Sequence, residues 1–262
     1  VKDSALPNIG ITIVCQRDQR LNPDSRITLA DHVPSSLLGQ FVGSTEGLST
    51  GDRDRFIRQF WELDPIADDW EFFQTAPSGN MLVDGFSEVV YWQEGHGVLS
   101  SFSGARIQGH AAWGLPGVLV GRMSTIRAGY YAGYLYDKSC VVLTPKNDAY
   151  LLPILTFCIS PDFEVEIRRL DKKLGVATSV PLKVPFDLEE WKAAASEQYP
   201  NGLPEPESDD PTQWLFHGRP DEAQEGTELQ VAVARLLGYR WPAELDDKMR
   251  LSKRARKLVK SC

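Results

Sequence analysis

The sequence predicts an α+β fold: a twisted, mostly antiparallel sheet with packed helices, followed by a helical C-terminal extension. Three observations predict it. Short runs rich in β-branched and aromatic residues recur between glycine-bearing turns from Ile9 to Thr144. One long apolar run, Asp148 to Ile159, has the length of a helix that packs on such a sheet. After Phe186 the strand signals cease and helix-start signals replace them.

Taken in order, IGITIVC (Ile9 to Cys15) reads as a buried strand, and Asn22-Pro23-Asp24 as a polar turn. GLSTGDRDRF (Gly47 to Phe56) places two glycines, two hydroxyl residues and four alternating charges ahead of Phe60-Trp61. Gly47 and Gly51 permit a tight turn there, and Thr50 or Asp52 can cap a short helix. SEVVYW (Ser87 to Trp92), GVLVG (Gly117 to Gly121), YYAGYLYD (Tyr130 to Asp137) and CVVLT (Cys140 to Thr144) are each strand-like. In the helical run, Pro153 must fall in the first turn. IRRLDKKLG (Ile167 to Gly175) puts Ile167, Leu170 and Leu174 on one face, and VPLKVPF (Val180 to Phe186) reads as extended. FDLEEWKAAASEQY opens with Asp187 and Glu190 in capping-box spacing, and NGLPEPESDDP is an irregular acidic connector. A last helix runs from the Thr227/Gln230 capping box along Leu229, Val233, Leu236 and Leu237 to a stop at Gly238. The expected division is therefore 1–184, a recognition domain, and 185–262, a helical extension.

The chain has 262 residues, 42% of them hydrophobic, which is enough for a substantial core. No run approaches a membrane span and no secretory signal is visible, so a cytoplasmic location is expected. Cys15, Cys140, Cys158 and Cys262 are widely spaced, without CxxC, and read as reduced thiols rather than as a zinc site. The formal charge of −8 argues on its face against nucleic acid. Its distribution weakens that argument. Residues 185–247 hold 15 acidic and 4 basic side chains, residues 248–262 hold 7 basic and no acidic ones, and residues 1–184 are left at −4.

Catalytic motifs are scarce. There is no G-x-S-x-G, no phosphate-binding P-loop, no HExxH and no G-x-G-x-x-G after a strand. His32, His96, His110 and His217 are isolated. Pro161-Asp162 with Glu190-Trp191-Lys192 formally fits the PD…ExK pattern of metal-dependent nucleases, but that chemistry needs the ExK on a strand, and Glu190 opens a predicted helix. The basic side chains offer more. Arg53, Arg55 and Arg58 cluster at the glycine turn, Arg122 and Arg127 flank a loop after a strand, and Lys138 follows the tyrosine-rich strand. Guanidinium groups and backbone amides in such turns suit phosphate. Pairing of the same side chains with Asp52, Asp54 and Asp137 is the competing reading.

GLSTGDRDRFIRQFWEL (Gly47 to Leu63) resembles the GLxTGxNxRFxRxWWEV motif of the target-recognition domain in large adenine-specific DNA methyltransferases, which include restriction-modification fusions and the methylases of the BREX and DISARM phage-defence systems. VVYWQEGHG (Val89 to Gly97), Trp113 to Val142 and Leu151 to Pro185 resemble the following segments in the same order. Residues from Phe186 onward look most like the DISARM methylase. Arg53 stands where that family has Asn, and Phe60 where it has Trp. The resemblance implies double-stranded DNA as partner, with an upstream methyltransferase domain of the same polypeptide and other defence subunits as further partners. S-adenosylmethionine would belong to that upstream domain, because the (N/D/S)PP(Y/F/W) motif is absent and Ser160-Pro161-Asp162-Phe163 lacks its second proline. On this resemblance Thr50, Arg53, Arg55, Arg58 and Lys138 would grip the DNA backbone, and loops around Asn80 and from Trp113 through Arg122 to Arg127 would read bases. A protein-docking domain is the alternative, with the connector and helices after Pro185 as its surface.

Overall fold

The computed structural model describes residues 15–20, 36–63, 67–77, 82–203, 226, 228–238, 257 and 260. The expected strand at Ile9 to Val14, Asn80, Thr227 and most of the basic tail lie outside the described residues.

Among the described residues, eight strands form two four-stranded sheets rather than the single sheet expected. β1 (Val42–Glu46), β8 (Cys140–Pro145), β5 (Gly117–Gly121) and β6 (Ala128–Tyr131) make the first, in that order and antiparallel throughout. β2 (Ile57–Gln59), β4 (Glu88–Tyr91), β3 (Trp70–Gln74) and β7 (Leu135–Tyr136) make the second, with β3 and β7 parallel. GVLVG forms β5 as expected, buried at all five positions because it lies between two neighbours in its sheet. YYAGYLYD does not form one strand. It breaks near Gly133, whose φ of +98° takes the chain out of β6 and into β7 of the other sheet.

The helix at Leu151–Ile159 packs on the first sheet. α1 (Gln16–Gln19), α2 (Arg53–Phe56) and α3 (Val98–Ser101) are single turns. α4 (Leu151–Ile159) has Pro153 in its first turn and buries Ile154, Leu155, Phe157 and Cys158. α5 (Pro161–Leu170) buries Phe163 and Ile167, but the helix ends before Leu174, which is two-thirds exposed. The segment expected to be extended, Val180 to Phe186, holds a 3-10 turn at Pro181–Lys183. α6 (Leu188–Gln198) starts at Asp187, whose carboxylate accepts from the Glu189 and Glu190 amides. Phe157 lies against Phe163, Phe186 and Trp191, so residues on both sides of position 185 share one core. α7 (Glu228–Leu236) carries Leu229, Val233 and Leu236 exposed, and Gly238 follows it at φ +91°. Among the described residues no helix is long and apolar enough to cross a membrane.

Candidate nucleic-acid interface

The glycine turn is built by close backbone approaches. After β1 the chain continues through Gly47 and Leu48, where the Leu48 amide donates to Tyr136 O (2.8 Å) and Leu48 O accepts from the Lys138 amide (2.9 Å). One residue on, Ser49 and Arg106 exchange backbone hydrogen bonds of 3.1 and 2.8 Å. A Cβ on Gly47 would stand 2.3 Å from Asp137 O, and one on Gly51, at φ +73°, would stand 2.2 Å from Gly104 O. Both positions therefore require glycine, and Thr50 between them is buried.

This turn brings Arg53 to the end of β7. Asp52 caps α2, accepting from the Arg55 amide at 3.2 Å. The Arg53 guanidinium then donates to Glu88 of β4 and, at 3.4 Å, to Asp137. The Arg55 guanidinium lies over Phe56 and Phe102, 4.9 and 5.4 Å from the ring centroids. Arg58 turns back onto the carbonyls of Asp54 and Ile57, the latter at 2.7 Å. Phe60 is buried in the core.

Arg122 is equally committed. Its guanidinium meets Glu46 of β1, Val176 O (2.8 Å) and Lys138 O (3.2 Å). Glu46, Glu88 and Asp137 are thus taken up by Arg53 and Arg122. Arg106, Arg127 and Lys138 are exposed and make no ion pair or side-chain hydrogen bond within the described chain. Backbone pairing joins Arg106 to Ser49 and Lys138 to Leu48, and Arg122 reaches the Lys138 carbonyl, so these cations border one stretch of loop. Arg127 closes the β5–β6 hairpin, its carbonyl accepting from the Gly121 amide at 2.8 Å.

Trp113 packs with Trp92 on the cluster that holds Leu48 of the turn. Its ring packs edge-on against Trp92 (5.5 Å) and meets the exposed His110 at a 43° tilt (4.2 Å), and its buried Nε1 has no acceptor among the described residues. Asn80 lies outside the described residues. The sequence reading missed Arg106, which only backbone pairing with Ser49 brings to the turn. Asp162 and Glu190 occupy first turns of two helices, α5 and α6, and no group of three or more metal-binding side chains is assembled among the described residues. Ser160-Pro161-Asp162-Phe163 opens α5 with Phe163 fully buried, and Ser160 and Pro161 line a cleft together with Thr125 and Arg127.

No protein-family model matches the chain, and no curated protein matches it by sequence. Among solved structures it is similar to the HsdS subunit from Thermoanaerobacter tengcongensis, at 11% identity and a TM-score of 0.35 over 88% of this chain and 45% of that one. It is also similar to the type IIL restriction-modification enzyme MmeI in complex with DNA, at 10% identity and a TM-score of 0.34 over 88% of this chain and 34% of that one. The chain spans less than half the length of either. Likeness at this level settles neither fold nor function.

Proposed function

We propose that the chain is the DNA target-recognition module of an S-adenosylmethionine-dependent, adenine-specific DNA methyltransferase in a restriction-modification or phage-defence system, with catalysis carried by a separate upstream domain. The observation that carries this reading is the pair of exposed cations, Arg106 and Lys138, that border the Gly47–Gly51 turn and make no ion pair among the described residues. Phosphate binding by cations is driven by release of counterions from DNA, and a side chain without an intramolecular partner loses no ion pair when it binds. The likeness of Gly47 to Leu63 to the methyltransferase recognition motif supports the same reading. Arg53, Arg58 and Arg122 serve in it by shaping the turn and loop rather than as the principal phosphate ligands.

A second reading, docking of another defence subunit, is favoured by one feature: the exposed apolar stripe of α7, with Leu229 at 73% and Leu236 at 87% exposure. Fluorescence-anisotropy titration against mixed-sequence duplex DNA separates the two. Recognition gives affinity that falls steeply between low and moderate salt and weakens on Arg106→Ala or Lys138→Ala. Docking gives no DNA binding at low salt, and that result removes the recognition reading.

A further inference from the structure

The loop between β5 and β6, Arg122 to Arg127, is held on one side and open on the other. Val176 and Arg122 exchange a backbone bond of 2.9 Å with a guanidinium bond of 2.8 Å, and the Ser124 amide donates to Leu174 O at 3.1 Å. From α5 the Arg168 guanidinium holds the carbonyls of Ser124 and Lys173, and the Glu164 carboxylate accepts from the Ile126 amide at 3.0 Å. Ile126 is buried beneath. The side chains left outward are Met123, half-exposed, and Ser124, Thr125 and Arg127, all exposed. Thr125 and Arg127 border a cleft of about 420 Å³ that Gln198 and Tyr199 also line.

On the DNA-recognition reading above, we infer that this loop reads bases: Arg127 selects guanine, and Thr125 and Met123 meet the methyl groups of nearby thymines. A guanidinium donates bidentately to guanine O6 and N7, and apolar methyl-bearing side chains suit the thymine methyl. Arg127 has no ion pair to release, whereas Arg122 would have to leave Glu46. Bracing by α5 is what discrimination between bases requires, since a reading side chain must be held to a fraction of an ångström. An extended chain rises about 3.3 Å per residue, so Met123 and Arg127 stand at most about 13 Å apart. Backbone separation thus spans at most about four base steps of about 3.4 Å, to which side-chain reach adds, so the guanine and thymine contacts fall close together in the site.

Selection of bound duplexes from a randomised DNA pool, followed by sequencing, tests this. The wild-type chain is expected to enrich a motif containing a guanine. Arg127→Lys keeps the charge and loses the planar fork, so its mixed-sequence affinity stays within about twofold while the guanine preference falls about tenfold or more. Met123→Ala with Thr125→Ala removes preference at thymine positions close to that guanine. An unchanged motif with Arg127→Lys overturns the inference and leaves the recognition reading standing, whereas no motif from a wild-type chain that binds DNA overturns both. Absence of DNA binding at low salt overturns both.

Discussion

Arg53 in α2 and Glu88 in β4 form an ion pair that ties the glycine turn to the second sheet, with Glu88 only 9% exposed and its second carboxylate oxygen buried without a partner. The two residues are far apart in the chain, and Asp137 braces the same guanidinium from the end of β7. A carboxylate in that position depends on its arginine. Removing one partner of a buried pair costs more than removing both, because the remaining charge is stranded.

Arg53→Ala is therefore expected to destabilise the chain by about 2 kcal/mol, discounted for the half-exposed guanidinium. Urea denaturation measures it. Adding Glu88→Met should recover part of the loss, because it takes away the stranded charge. A single variant as stable as wild type would show that the pair does not hold the turn. Lys138→Ala, by contrast, removes an unpaired side chain and should leave stability within about 0.5 kcal/mol while weakening DNA binding.

Gly51→Ala should be among the most damaging small substitutions. The new Cβ would meet Gly104 O at 2.2 Å and would impose a left-handed backbone on an ordinary residue. Backbone strain of that kind costs about 1–3 kcal/mol before the overlap is relieved. Gly202→Ala is the control: its φ of +84° is similar, but nothing lies within 4 Å of the added atom. Thermal denaturation of the two variants separates overlap from conformation, and equal losses would assign the whole effect to φ.

The sequence was readable where local chemistry decides and silent where tertiary pairing does. β5, the Asp52 and Asp187 caps and the place of Pro153 follow from β-branching, capping oxygens and the missing proline amide, all of which act within a few residues. The split of Tyr130 to Asp137 between two sheets was hidden, because both halves look equally strand-like and Gly133 alone marks the change of direction. The candidate interface was half legible. Arg53, Arg58 and Arg122 stood out by sequence, yet Glu88, Glu46 and Val176, the partners of Arg53 and Arg122, are set by the fold. Arg106 gained meaning only through its pairing with Ser49.

A chain cut after Pro185 should fail to fold stably. Phe186 and Trp191 close the core around Phe157, whose ring stands 5.3 Å from Phe186 and 4.9 Å from Trp191. Phe157→Ala should cost about 3–5 kcal/mol, as for other buried aromatic truncations. Circular dichroism melting of a 1–185 fragment checks the larger claim. A cooperative transition like that of the whole chain would make α6 an appendage.

The buried thiols and phenols predict a loss of stability at high pH. Burial, with Asp137 adding to it and the Ser139 hydrogen bond opposing, pushes the Cys140 thiol up to about 12. Burial raises Cys158 as well; Tyr131 is raised by burial and then by Tyr136, and Tyr136 by burial and then by Cys140 and Glu46. Each group keeps its proton longer in the folded chain than in the unfolded one. Stability from these groups is fully present below about pH 8.5, where unfolded cysteines begin to ionise, and it is lost as pH rises through the folded values. The urea midpoint should then fall steadily from about pH 9 upward, and less steeply when Cys140 and Cys158 are both replaced by Ala. The same protonation makes both thiols poor nucleophiles: at pH 8 a thiol-labelling reagent should modify the exposed Cys15 quickly and spare Cys140 and Cys158 until the chain unfolds. Rapid labelling of either in the native chain would place it at the surface and remove the alkaline effect with it.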